Sequence, residues 1–180
     1  MQLTTIRLTL QELTLDDLEN LHRLNSCPEV DEFNTLGIPK NEEETLQHLQ
    51  RFIQALKVVP RASYNWKIVD RKTGDFIGAA GMNVSNNRFK LGEIYYNILP
   101  EFWGNGYATE VGKGLVKFGF DELKLHKVEA GVQTENIRSI KVLEKLGMTR
   151  EGLRRKILPI RGVWKDNYHY AIVEDDPKDY

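Results

Sequence analysis

From Tyr107 to Leu123 the apolar residues Val111, Leu115, Val116, Phe118 and Leu123 recur at helical spacing, whereas the run just before them, Leu91 to Leu99, reads as a strand. The same periodicities divide the rest of the chain. Thr5 to Leu13 alternates Ile6, Leu8 and Leu10 against Arg7, Thr9 and Gln11, a strand with one buried face. Thr14 then caps a helix whose stripe is Leu18, Leu21 and Leu24, with Asp16 and Asp17 suiting its positive end; the Cys27-Pro28 step ends it. A second helix, about Glu42 to Leu56, takes Asn41 as its cap and Leu46, Leu49, Phe52, Ile53 and Leu56 as its face.

Tyr64 to Asp70 and Phe76 to Val84 are predicted strands joined by the turn Lys72-Thr73-Gly74-Asp75, and an Asn86-Asn87 turn leads to Leu91. Beyond the central helix come a strand, Val128 to Gln133, and a helix, Asn136 to Leu146, closed by Gly147. Two last strands, Met148 to Leu158 and Trp164 to Val173, meet at a turn containing Gly162. The order is β-α-α-β-β-β-α-β-α-β-β, and the acidic Glu174-Asp175-Asp176 tail is expected to be solvated and frayed.

Between the strand and the central helix lies Trp103-Gly104-Asn105-Gly106-Tyr107-Ala108-Thr109-Glu110. Two glycines here let backbone approach a ligand, and the free amides at the start of the helix sit at the positive end of its dipole. A pyrophosphate suits such a site. The segment lacks the Gly-Lys-Ser/Thr ending of a nucleoside-triphosphate loop and falls short of the G-x-G-x-x-G dinucleotide pattern. An Asn-Gly hairpin turn is the plain alternative, and the helical spacing that follows argues against it.

Composition narrows the classes further. With 180 residues the chain reads as one domain, residues 1–180, and 41% hydrophobic content is ordinary for a soluble fold. Its 25 Lys and Arg against 26 Asp and Glu give a formal charge of −1, so there is no net field to gather nucleic acid or an anionic membrane. The single Cys27 forms no internal disulfide and suggests a reducing compartment; it reads as a small buried residue. His22, His48, His126 and His169 are scattered and read as surface or packing residues, with no zinc spacing. No secretory signal or spanning segment is apparent, so a cytoplasmic protein is expected.

Taken together, Thr5-Ile6-Arg7-Leu8, Gly92-Glu93-Ile94-Tyr95-Tyr96, the glycine segment, Asn136-Ile137-Arg138-Ser139, Val142 to Met148, Glu151-Gly152 and Asp166-Asn167-Tyr168 resemble one family. It is the GNAT superfamily of N-acetyltransferases, in its ribosomal-protein-alanine (RimJ/RimL-like) subgroup. The resemblance covers nearly the whole chain. It implies an α+β fold, with a central, largely antiparallel sheet flanked by helices and splayed between the fourth and fifth strands. It further implies acetyl-CoA as cosubstrate, an amine as acceptor, and suggests a homodimer.

The family's pyrophosphate motif falls on Trp103, Gly106 and Ala108, with Trp103 replacing the usual Gln or Arg. The role carried over uses backbone from Trp103 through Gly104, Asn105, Gly106, Tyr107, Ala108 and Thr109. The pantetheine arm is implied to pair with backbone near Ile98 and Leu99, where an amide could also hold the oxyanion. Asn136 is implied as a cofactor contact that also caps its helix.

The family's reaction is direct attack of a neutral amine on the thioester, which needs positioning and proton handling but no protein nucleophile. Many relatives carry a Tyr acid where Leu143 stands, and RimL-like relatives a carboxylate where Leu158 stands, so this chain departs at both. Glu93 and Ser139 are the catalytic candidates; the alternatives are a solvent-facing strand residue for Glu93 and a cap or CoA contact for Ser139. Tyr95, Tyr96 and Tyr168 could line the acceptor site or serve packing, and Arg138, Lys141 and Lys145 could reach a CoA phosphate or form a solvated face. A protein N-terminal amine is the expected acceptor, because an α-amine, with a pKa of about 7.7–8.0, is far more often neutral at pH 7 than a Lys at about 10.4. A small amine, such as a polyamine, amino acid or aminoglycoside, is the alternative, and a non-catalytic acetyl-CoA sensor is the rival class.

Overall fold

The computed structural model describes residues 1–85 and 88–180. The expected Asn86-Asn87 turn lies outside the described residues. Eight strands form one sheet: β1 (Gln2–Thr4), β2 (Leu8–Glu12), β3 (Ser63–Asp70), β4 (Phe76–Val84), β5 (Leu91–Ile98), β6 (Lys127–Gln133), β7 (Thr149–Ile160) and β8 (Val163–Val173). They lie in the order β1-β2-β3-β4-β5-β6-β8-β7. Among the described residues five α-helices join them: α1 (Leu18–Asn25), α2 (Pro28–Asp31), α3 (Glu42–Ala55), α4 (Tyr107–Asp121) and α5 (Ile137–Lys145).

Among the described residues only the β5–β6 pair is parallel, and it lasts three residues, Leu91↔Lys127, Gly92↔Val128 and Glu93↔Glu129. β5 runs on to Ile98 and β6 to Gln133 without pairing to each other, so the sheet opens as a wedge from Glu93 onward. This is the splay that the family resemblance implies.

Each side of the sheet buries its own core, as alternation along the strands requires. Leu8, Leu10, Trp66, Met82 and Ile94 face Val111, Leu115 and Phe118 of α4 and Leu143 of α5. Trp66 meets Phe118 edge to face, with ring centres 5.4 Å apart. On the other side Leu21 and Leu24 of α1 and Leu49 of α3 pack on Ala79 and Leu99. Odd-numbered residues of β5, Glu93, Tyr95 and Asn97, therefore point away from α4 and α5, and even-numbered ones point toward them.

Several sequence expectations hold locally. The Asn41 side chain accepts from the Glu44 amide at 3.1 Å to cap α3, and Gly147 has φ +78 after α5. Arg161 and Gly162, both with positive φ, make the two-residue turn between β7 and β8.

Other expectations are corrected. The first strand breaks into a hairpin, because the Thr5 amide donates to the Leu8 carbonyl (2.9 Å) and the Leu8 amide to Thr5 Oγ1 (3.1 Å). Ile6 consequently sits at the tip and is 88% exposed instead of facing the core. Thr14 opens a single 3₁₀ turn, Leu15–Asp17, before α1, and Asp17 is buried against Lys67 at 2.7 Å. Pro28 both follows the end of α1 and starts α2, where its missing amide costs nothing. Cys27 is half-buried, with its thiol directed at Glu29 Oε2, 3.0 Å away. The acidic tail is tied down, since the Val173 amide donates to Asp176 Oδ2 (2.9 Å) and Glu174 pairs with His126 (2.8 Å). Among the described residues no helix is long and apolar enough to cross a membrane.

Candidate active site

At the open end of the wedge the chain turns from β5 through a 3₁₀ turn, Pro100–Phe102, into the glycine segment. Trp103 Nε1 donates to the Ile98 carbonyl at 2.7 Å, which fastens the segment to the end of β5. Trp in place of Gln or Arg thus has a structural task. Gly104 (φ +79) and Gly106 (φ +78) both take the left-handed conformation, and Gly106 is the N-cap of α4. A Cβ at Gly104 would meet nothing within 4 Å, and one at Gly106 only Arg7 Nη2 at 3.6 Å. The backbone here borders open space.

The Glu110 amide is the first of α4 to find its helical partner, the Gly106 carbonyl (3.1 Å), so Tyr107, Ala108 and Thr109 present first-turn amides of the kind that bind anions. Two cations flank them. Arg7 reaches the Asn105 carbonyl (2.9 Å) and lies over the Tyr107 ring (4.5 Å), and Arg138 of α5 lies over the Trp103 ring (4.1 Å). Positive-φ glycines, free amides and two guanidiniums are a donor set suited to a pyrophosphate. Sequence reasoning weighed Arg138 for a phosphate but gave Arg7 no role; Lys141 and Lys145 stand exposed further along α5.

What holds this cradle is Glu110. Its carboxylate accepts from Thr5 Oγ1 (2.6 Å), the Arg7 amide (2.7 Å) and Arg7 Nε (2.7 Å), tying α4 to the β1–β2 hairpin. Burial pushes the Glu110 carboxyl upward, but these bonds and the Arg7 charge outweigh it and hold the group below its ordinary value. A depressed carboxylate contributes stability that is present above its unfolded value of 4.5 and is lost as pH falls through the lower folded value. Glu110→Gln is therefore expected to cost about 2 kcal/mol at pH 7. Thermal melts of both proteins should converge as pH falls below 4.5; an equal gap at all pH values would contradict this.

The two backbone candidates separate. The Leu99 amide donates to the Ile77 carbonyl (2.9 Å) and its own carbonyl accepts from Phe102 (3.0 Å), so Leu99 is turned to β4 and already satisfied. That corrects the expectation of a pantetheine or oxyanion contact at Leu99. Strand alternation then turns the backbone of Ile98, and of Tyr96 before it, into the wedge. The Ile98 carbonyl is held by Trp103, and its amide faces the opening.

Asn136 Oδ1 accepts from the Ser139 amide at 3.1 Å and caps α5, as expected of it. Ser139 Oγ lies 2.9 Å from the Tyr96 hydroxyl, on the α4–α5 side of the sheet. Leu143 is buried in that core. Glu93 lies on the opposite side, exposed, and has no ion-pair or hydrogen-bond partner among the described residues. The structure therefore does not bring the two catalytic candidates together; they flank the wedge from opposite faces. Of the three tyrosines only Tyr95 shares the face of Glu93, with its hydroxyl donating to Asn65 Oδ1 (2.7 Å). Tyr168 packs against the main core, beneath the Arg150 guanidinium (4.6 Å).

On that second face a pair no sequence pattern announced lies beside Glu93: Glu129, its register partner, meets His169 Nε2 at 2.9 Å. The surrounding acids are matched as well. Asp31 meets Arg161 from the β7–β8 turn (3.1 Å), and Glu32 meets Arg138 (3.4 Å). The hairpin and α2 thus bound the wide end of the wedge. Asn34 Nδ2 donates to Asn97 Oδ1 (3.1 Å) within it.

A sheet parted between two parallel strands, with an amide-rich cradle at the mouth, fits the architecture the family resemblance implies, in which an acyl-coenzyme A passes its acyl group straight to an acceptor. Comparison with known proteins makes this definite. The family model described as Acetyltransferase (GNAT) domain matches residues 7–149, and the chain belongs to that family. It is 33% identical over 172 residues to the uncharacterized N-acetyltransferase YoaA of Bacillus subtilis, covering 96% of each chain. Among solved structures, a GNAT-family acetyltransferase from Bacillus anthracis superposes with a TM-score of 0.84 at 29% identity, covering 98% of this chain and 100% of that one. The spermidine N-acetyltransferase of Vibrio cholerae, in complex with CoA and spermine, shares the fold at a TM-score of 0.82 and 23% identity, covering 94% and 97%. The protein is an N-acetyltransferase that uses acetyl-CoA.

Proposed function

We propose that the acceptor is the N-terminal α-amine of a protein or peptide. The observation that carries this is the charge inventory of the face around Glu93. Asp31 and Glu32 meet Arg161 and Arg138, Lys127 meets Glu151 and Glu129 is hydrogen-bonded to His169, whereas Glu93 has no ion-pair partner among the described residues and shares its strand face with the neutral Tyr95 and Asn97. One carboxylate and a set of amides suit a single ammonium at the end of a neutral backbone. A polyamine carries several ammonium groups, and each would need its own acid. The weak ionisation of an α-amine adds to this, since less basicity is asked of the protein.

In this reading, acetyl-CoA lies with its pyrophosphate on Gly104 to Thr109 between Arg7 and Arg138, and its thioester in the wedge near the Ile98 and Tyr96 amides. The peptide amine enters from the opposite face beneath α2 and the β7–β8 hairpin. About three strand residues, or 10 Å, separate Glu93 from Tyr96, so Glu93 takes the amine proton through a chain of several waters. The neutral amine attacks the carbonyl carbon, a wedge-facing amide holds the oxyanion, and the C–S bond breaks.

The test is competition. With acetyl-CoA limiting, an equimolar mixture of neutral-headed peptides, spermidine and an aminoglycoside should gain acetyl mass on the peptides, with one free CoA thiol per acetyl group. Gain confined to spermidine or the aminoglycoside overturns the peptide assignment in favour of a small-amine enzyme.

A further inference from the structure

One buried carboxamide on the face of Glu93 has its oxygen taken and its nitrogen unclaimed. Asn167 of β8 is 6% exposed, and its Oδ1 accepts from the Val132 amide of β6 at 2.9 Å. A backbone amide can only donate, so this bond fixes which way the carboxamide lies. Its Nδ2 is carried over Gly131: a Cβ on Gly131 would stand 2.6 Å from that nitrogen, closer than real side chains come. Glycine keeps this place open. Nδ2 has no hydrogen-bond partner among the described residues, and it is not sealed in the core.

The topology puts that nitrogen beside the wedge. Val128, Ala130 and Val132 of β6 and Tyr168 and Tyr170 of β8 pack into the core under α4 and α5, so Gly131, Asn167 and His169 share the opposite face with Glu93 and Glu129. At the two ends of β6 the Thr134 amide donates to the Asp166 carbonyl (3.3 Å) and the Glu174 amide to the His126 carbonyl (3.0 Å). Even-numbered residues of β6 therefore turn their backbone to β8, and odd-numbered ones, Gly131 included, turn it to the gap. Gly131 lies two residues past Glu129, as Tyr95 lies two past Glu93, where β5 and β6 have parted. Neighbouring groups on this face are engaged: Gln133 Nε2 with Glu135 (2.8 Å), His169 Nε2 with Glu129 (2.9 Å) and the Tyr95 hydroxyl with Asn65 (2.7 Å).

We infer that Asn167 Nδ2 donates to the first carbonyl oxygen of the acceptor, so that Asn167 and Gly131 together select an amine with a carbonyl beside it. The contact presupposes a peptide in the cleft, as proposed above. Nδ2 is a donor only, so what it recognises is an acceptor atom. In a peptide the carbonyl sits on the carbon next to the amine-bearing one, and an oxygen held over Gly131 keeps the amine at the gap, about 7 Å along the strands from Glu93. Spermidine offers ammonium and methylene groups beside its reacting amine, neither of which accepts a hydrogen bond. Nδ2 would then be left unpaired in a buried site, which discriminates against such a substrate independently of charge.

The test uses two peptides that differ in one atom: the first carbonyl oxygen, or in its place sulfur, a weaker acceptor. The wild type should acetylate the oxo-peptide with kcat/KM about tenfold above the thioxo-peptide, the worth of one neutral hydrogen bond in a buried site. Asn167→Asp keeps an oxygen for the Val132 amide and removes the donor; Gly131→Ala displaces the donor with its Cβ. Each should slow the oxo-peptide about tenfold and bring the two peptides within about twofold of each other, while the Kd for acetyl-CoA stays within about twofold of the wild type. An asparagine with a structural task alone would slow both peptides alike and preserve their ratio. A ratio that survives Asn167→Asp, or its absence from the wild type, overturns the carbonyl contact and leaves the peptide reading intact. Turnover of spermidine by the wild type with neither peptide acetylated ends both.

Discussion

Gly106→Asp is expected to abolish useful acetyl-CoA binding, raising Kd about 100-fold or more. Gly106 has φ +78 at the N-cap of α4, a conformation that costs an L-residue about 1–2 kcal/mol. The new carboxylate would also project where the cosubstrate's pyrophosphate is expected, and like charges this close add a penalty of at least the same size. The two together reach about 3 kcal/mol, which is the stated factor. Gly106→Ala separates the contributions. Its Cβ would meet only Arg7 Nη2 at 3.6 Å, so it pays the backbone cost alone and should weaken binding about tenfold. Calorimetric titration with acetyl-CoA measures both; equal affinities in Gly106→Asp and the wild type would remove the pyrophosphate from this loop.

Glu93→Gln should act on rate. The substitution is nearly isosteric, the residue is exposed, and it sits at the closed vertex of the wedge rather than at the cradle. Affinity for acetyl-CoA should therefore be unchanged while kcat falls about 10²-fold, the lower part of the range for a lost general base. Glu129→Gln gives the contrast. That carboxylate is committed to His169, so replacing it with a neutral amide should weaken the bond to a buried imidazole and lower the melting temperature. Turnover that survives Glu93→Gln intact would mean that the amine's proton leaves by another route.

What the sequence discloses and what it withholds follows from the range of the interactions. The glycine segment, the Asn41 and Asn136 caps, the Gly147 stop and the stripes of α3 and α4 are local, and each is legible from neighbouring residues. Ile6 misled because a threonine turn three residues long outweighs alternation. The choice between Ile98 and Leu99 depends on which edge of β5 faces β4, and this is settled by register to Gly78 and Ile77, about twenty residues away in the chain. Arg7 with Glu110, Tyr96 with Ser139, Asp31 with Arg161 and Glu129 with His169 are pairings between distant segments. No spacing in the sequence announces them. The fold was therefore legible through its elements and its family likeness, the cradle through its glycines, and the opposite faces occupied by Glu93 and Ser139 only through the sheet.

The most direct measurement is a single peptide that carries both a free N-terminal α-amine and an internal Lys, incubated with acetyl-CoA and followed by fragment mass spectrometry and thiol release. The account predicts one acetyl group, on the α-amine, and one CoA thiol for each. Acetyl on the Lys side chain, or none on the peptide while spermidine is acetylated, would contradict it.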